Sequence, residues 1–123
     1  LLIELPFFAP PMGLNDYLFE LQLEGYDLIL AHPERYLFWI NDFDKFTELK
    51  DRGILFQINI MSLGGYFGKD VRYLAKRLAD NNMVELLGSD AHGPKHFAAI
   101  RDSLFDPVLD RLIKSGNIIN KEF

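Results

Sequence analysis

Apolar residues along this chain come in two alternating rhythms. Residues 1–5, 27–31, 54–60 and 83–87 are nearly continuous apolar runs, and short runs of this kind mark strands buried on both faces. Between them the apolar positions fall three and four apart: Leu14, Tyr17, Leu18 and Leu21 before Gly25, then Phe43, Phe46 and Leu49 before Gly53. Val71, Leu74, Ala75, Leu78 and Ala79 follow before Asn81-Asn82, and Leu109, Leu112 and Ile113 before Gly116. That is helical spacing. Asn15 is the expected cap of the first helix and Asn41 or Asp42 of the second, while Asp106-Pro107 reads as a cap followed by a first-turn proline for the last. Pro6, Pro10-Pro11-Met12-Gly13 and residues 62–68 read as loops. The strands start near residues 1, 27, 54 and 84, about 26 to 30 residues apart, which fits one strand plus one returning helix each time. The prediction is an α/β fold of serial βα units with parallel strands. A closed barrel of eight such units needs about 250 residues, so four units make about half of a distorted, TIM-like (βα) barrel. Residues 117–123 carry neither rhythm and receive no assignment.

At 123 residues and 49% hydrophobic content, the chain can bury one core and not two. It begins inside a predicted strand with no initiator methionine, which reads as a piece of a larger domain. A net charge of −5 without any lysine or arginine cluster gives no track for a nucleic-acid backbone. The absence of cysteine excludes disulfides, cysteine-ligated zinc and a thiolate nucleophile. The longest apolar runs are too short to cross a bilayer and no basic leader precedes them, so the expectation is a cytoplasmic protein without membrane insertion. Half a barrel would leave open strand edges, and these invite a second copy, so a homo-oligomer is a further expectation.

The candidate chemistry gathers where the strands end. In parallel βα folds the carboxyl ends of the strands carry the loops and the helix N-termini, and function sits there. Glu4 stands at the end of the first run, His32 at the end of the second, Gln57 and Asn59 at the third, and Asp90 with His92 past the fourth. Asp90 and His92 are two apart, so they can present a carboxylate and an imidazole to one point. Two imidazoles with two carboxylates suit a transition metal such as Mn, Fe or Zn and fit neither calcium nor an all-oxygen magnesium site. Each residue also has a plain reading: Glu4 as an edge-strand solvent residue, His32 as a loop histidine, Asp90 as a turn cap. Their common edge favours the metal site. Arg35, three residues past His32, can clamp two phosphoryl oxygens with its planar fork or pair with Glu34 or Asp42 at the surface. His96 follows His92 by four, but Gly93-Pro94 between them argues against one continuous helix.

The segments Leu2-Ile3-Glu4-Leu5-Pro6, Leu28-Ile29-Leu30-Ala31-His32-Pro33-Glu34-Arg35-Tyr36, Phe56-Gln57-Ile58-Asn59 with Ser62 and Gly65, and Gly88-Ser89-Asp90-Ala91-His92 together resemble one family. It is the PHP-domain (polymerase and histidinol phosphatase) metal-dependent protein-tyrosine phosphatases of bacterial capsule and exopolysaccharide loci. The resemblance implies that residues 1–123 are the C-terminal part of a single PHP-type phosphatase domain, with up to three divalent metals in the intact domain. It also implies hydrolysis of phosphotyrosine on a partner bacterial tyrosine kinase that controls polysaccharide export. Carried over, Glu4, His32, Asp90 and His92 are metal ligands and Arg35 is the catalytic, phosphate-binding residue. The family's N-terminal half, with a His-x-His pair and further ligands, lies outside this chain. A second family arginine after Asp-x-His is also missing, and Lys95 or His96 is the candidate substrate-binding substitute. Competing readings are a small-molecule phosphoesterase of the histidinol-phosphate type and a non-catalytic docking module.

Overall fold

A computed structural model describes residues 1–89 and 93–120. Its centre is one four-stranded sheet in the order β1-β2-β3-β4, parallel throughout. The strands are β1 (Leu2–Ile3), β2 (Ile29–Ala31), β3 (Leu55–Asn59) and β4 (Leu86–Gly88). Each new strand adds beside its predecessor without reversal, as in a segment of a βα barrel. The register sets Ala31 opposite Gln57 and Asn59 opposite Gly88, so the chain leaves β2, β3 and β4 at one rim.

Helix α1 (Leu14–Leu23) returns the chain from β1 to β2, and α2 (Asp44–Asp51) from β2 to β3. A short α3 (Ile60–Leu63) and the longer α4 (Lys69–Asp80) connect β3 to β4, and α5 (Pro94–Ser103) and α6 (Pro107–Lys114) follow. Helix α4 buries Val71, Leu74, Ala75, Leu78 and Ala79, the stripe its 3.6-residue spacing predicts. Leu28 and Ile54, each just before a strand, with Phe56 and Ile58 of β3, share one core with Phe46, Leu74 and Leu78 from the helices, all essentially removed from solvent. Among the described residues no helix is long and apolar enough to cross a membrane.

Several local expectations give way to tertiary contacts. Asn15 lies inside α1, where its side-chain oxygen accepts from Arg52 at 3.0 Å, and the helix starts instead after Gly13 in the left-handed region at φ 71°. Neither Asn41 nor Asp42 caps α2; Phe43 holds that position without a side-chain bond, and the Asp42 carbonyl accepts from the Lys45 N–H at 3.1 Å. Asp106 does cap α6, its carboxylate accepting from the Val108 N–H at 2.8 Å. Helix α5 was not expected. Pro94 opens it, consistent with a break after residue 93. The unassigned tail also acquires a place: the Ile119 N–H donates to the Glu85 carbonyl at 2.8 Å, and the Asn120 amide exchanges two bonds with Leu87 at 2.9 and 2.8 Å. The expected open edge of β4 is therefore partly covered.

Candidate functional site

The rim is built outward from β2. His32, the first residue past it, takes a left-handed conformation at φ 38°, ψ 56° directly before Pro33. A residue preceding proline is normally driven to extended backbone, and a non-glycine held in the left-handed region costs about 1–3 kcal/mol. The strain is maintained from both sides. The His32 N–H donates to the Gln57 carbonyl at 2.7 Å, and the next residues, Pro33–Arg35, close a 3-10 turn. This turn aims the imidazole toward β1, with His32 Nε2 3.5 Å from Glu4 Oε1. The His32 side chain is 5% exposed and that of Glu4 64%.

Glu34, the middle residue of the turn, is completely buried. One of its oxygens accepts from the Asn59 N–H at 2.9 Å and from the Ser62 hydroxyl at 2.6 Å, tying the turn to the end of β3 and the start of α3. Its other oxygen and the Asn59 side-chain amide nitrogen are buried without hydrogen-bond partners among the described residues. Burial pushes the Glu34 carboxyl from 4.5 up to about 7, against the pull of the Ser62 and Asn59 bonds and the charge of Arg35. Tyr36, at 0% exposure, accepts a 2.8 Å bond from the Leu5 N–H and so joins the segment after β1 to the segment after β2. Burial, with the nearby charges of Glu4 and Glu34, raises its phenol to about 12.

Arg35 forms no ion pair among the described residues, so its pairing with Glu34 or Asp42 is not what the fold contains. Its guanidinium carbon lies instead 4.4 Å from the Phe7 ring centroid and 4.2 Å from that of Phe67. The Phe7 ring is also 5.4 Å from the His32 ring, so one phenylalanine touches both the candidate ligand and the candidate clamp. On the far side His96, on α5, meets Tyr66 edge-on at 5.3 Å, and Tyr66 meets Phe67 at 5.1 Å. Lys95 is exposed in the first turn of α5. Asp90 and His92 lie outside the described residues.

Glu4, His32 and Arg35 thus share one rim. Two donors each about 2.1 Å from one tetrahedral ion lie about 3.4 Å apart, so the Glu4–His32 separation fits shared coordination. A carboxylate oxygen with an imidazole nitrogen is also the donor mixture that transition metals take. Among the described residues this is a pair, and no group of three or more potential ligands forms. A cleft of about 440 Å³ beside Pro10, Trp39 and Glu48 contains none of these residues. Reasoning from sequence missed Glu34 and the two phenylalanines. A glutamate beside an arginine reads as a surface partner, and its true partners are 25 and 28 residues away.

Comparison with known proteins gives the family of the chain. Over 115 residues the chain is 37% identical to CapC of Staphylococcus aureus, which carries the name of a tyrosine-protein phosphatase, covering 94% of this chain and 44% of that protein. It is 36% identical over 95 residues to the tyrosine-protein phosphatase YwqE of Bacillus subtilis, covering 77% of this chain and 37% of YwqE. It superimposes with a TM-score of 0.73 and 31% identity on a solved structure from work describing YwqE and CpsB of Streptococcus pneumoniae as metal-dependent tyrosine phosphatases. That match covers 91% of this chain and 49% of the solved one. The chain therefore spans about half the length, or less, of the relatives it matches. The family model for capsular polysaccharide synthesis, CpsB/CapC, matches residues 1–102. With most of its length matched in this way, the chain belongs to the CpsB/CapC family.

Proposed function

We propose that residues 1–123 form the C-terminal part of a single PHP-type domain that hydrolyses phosphotyrosine on a partner tyrosine kinase in capsule or exopolysaccharide synthesis. The observation that carries this reading is the rim itself, where Glu4 faces His32 at 3.5 Å and Arg35 stands within ring contact of the same phenylalanine. The names of the Staphylococcus and Bacillus relatives support the reaction, and the description of YwqE and CpsB supports metal dependence. Glu4 and His32, together with Asp90 and His92, would hold divalent Mn, Fe or Zn, up to three ions in the intact domain. Such ions, when bound, supply a water ionised near neutral pH and positive charge at the phosphoryl group. Arg35 receives two phosphoryl oxygens and balances the charge that spreads over them as the bond to the tyrosine oxygen breaks. Glu34 and Tyr36 keep the turn that carries His32 and Arg35 in place. The cytoplasm, where the kinase tail would be met, is the proposed location.

The test uses the full-length protein carrying this chain. Arg35→Lys keeps the charge and loses the planar fork, so turnover of a phosphotyrosine peptide should fall strongly while metal content stays unchanged. Wild-type turnover by that variant, or faster hydrolysis of histidinol phosphate than of the peptide, would overturn the reading.

A further inference from the structure

Arg35 has no carboxylate within ion-pair distance among the described residues. Two rings take that place. Phe7 belongs to the loop between β1 and α1 and Phe67 to the loop between α3 and α4, with guanidinium distances of 4.4 and 4.2 Å. Both rings lie within cation–π distance of the guanidinium, and among the described residues they make no ring contact with each other. Segments that follow three consecutive strands therefore meet at one side chain.

Stacking and hydrogen bonding use different parts of a guanidinium. Rings attract its charged face, whereas its N–H groups lie in the plane and point outward at the edge. A carboxylate partner would occupy that edge; aromatic flanks leave it open for two oxygens of a phosphoryl group. Each ring is itself anchored. Phe7 packs 6.1 Å from buried Tyr36, and Phe67 rests edge-on against Tyr66, which rests edge-on against His96. Phe7 keeps 43% of its surface exposed, against 96% for its loop neighbour Phe8.

We propose that Phe7 and Phe67 are positioning residues that hold the Arg35 guanidinium between them and so present its N–H edge to the phosphoryl group. They act through Arg35 and do not touch the reacting atoms. The inference rests on the reading of Arg35 as the phosphoryl clamp.

Phe67 gives the cleaner test because, among the ring contacts of the described residues, His32 meets Phe7 and not Phe67. In the full-length, metal-loaded protein, Phe67→Leu should lower kcat/KM on a phosphotyrosine peptide about tenfold, the factor made by roughly 1.4 kcal/mol of lost cation–π stabilisation. Inhibition by inorganic phosphate should weaken in parallel while metal content is unchanged. Phe67→Tyr keeps a ring face and should restore most of the activity. The deciding arm is the double variant: in an Arg35→Ala background, Phe67→Leu should cost nothing further. An equal loss in both backgrounds would make Phe67 a structural residue and overturn the proposal, as would wild-type kinetics for both Phe7→Leu and Phe67→Leu beside an impaired Arg35→Ala. Wild-type activity of Arg35→Ala would instead remove the clamp itself.

Discussion

Glu4 and Glu34 reach the same rim and are treated in opposite ways by the fold. Glu4, just past β1, keeps a side chain 64% exposed beside His32, whereas Glu34, two residues past His32, is buried without any solvent contact. The first keeps its side chain open to an incoming cation, with Oε1 facing His32 Nε2 at 3.5 Å. The second directs one oxygen to the Asn59 N–H and the Ser62 hydroxyl, and its ionisation is displaced to about 7. A site of this kind needs both: a carboxylate that stays open to solvent, and a structural one that fixes the strained backbone behind it.

The comparison predicts where substitutions act. Glu34→Ala should destabilise the metal-free protein by about 4 kcal/mol, because it leaves a cavity and strands the buried Ser62 and Asn59 donors. Urea unfolding measures this, and a midpoint equal to wild type would show that the turn does not depend on Glu34. If the alanine variant does not accumulate, Glu34→Gln keeps the volume and the accepting oxygen and gives the milder form of the same measurement.

The second contrast is in pH. The Glu34 carboxyl titrates higher in the folded chain than in the unfolded one, so between about 4.5 and about 7 the folded state carries the extra proton. Stability therefore falls as pH rises through that window and levels off above it, by up to about 3 kcal/mol for this group. Glu34→Gln should flatten that slope when unfolding of the metal-free protein is followed from pH 5 to pH 8. A slope unchanged by the substitution would place the titration elsewhere.

Glu4 should behave in the reverse manner. Glu4→Gln removes a candidate ligand from a solvent-facing position, so activity and metal content should fall by about 100-fold or more while thermal stability of the metal-free protein changes by less than about 0.5 kcal/mol. Retained metal with retained activity would reduce Glu4 to the plain edge-strand residue of the first reading.

How far this was legible in the sequence follows from where each signal lies. The four strands and the helices α1, α2, α4 and α6 are local patterns, although α1 buries only Leu18 of its predicted face and exposes Tyr17, and α6 exposes Ile113 and buries Val108 in addition. The rule that polar residues at strand ends face one rim brought Glu4, His32 and Arg35 together. Helix α5 escaped notice because it buries only Ser103 and leaves Phe97 65% exposed, so it has no apolar stripe to read. It docks by close approach: a Cβ at Gly64 would collide with the Ser103 side chain. Burial of Glu34 and the ring flanks of Arg35 are likewise products of contacts between segments more than 20 residues apart. No local window contains them.

The smallest effect is expected at the residue joining the two glutamate regions. Tyr36 sits in the turn that Glu34 secures, and its hydroxyl accepts the N–H of Leu5, next to Glu4. The phenol is held neutral by burial, so the link persists across the physiological range. Tyr36→Phe retains the ring that stacks on Phe38 at 5.7 Å and removes the acceptor alone. A buried backbone donor then loses its partner, at a cost of about 1 kcal/mol. Because Leu5 is tethered to this turn through that bond, its loss should also loosen Glu4 relative to His32. Metal affinity should fall by a few-fold, read by chelator competition on the full-length protein, while Arg35 and its flanking rings are left in place. A stability loss with no change in metal affinity would show that Glu4 is positioned by β1 alone, and that the two regions meet at the rim without depending on one another.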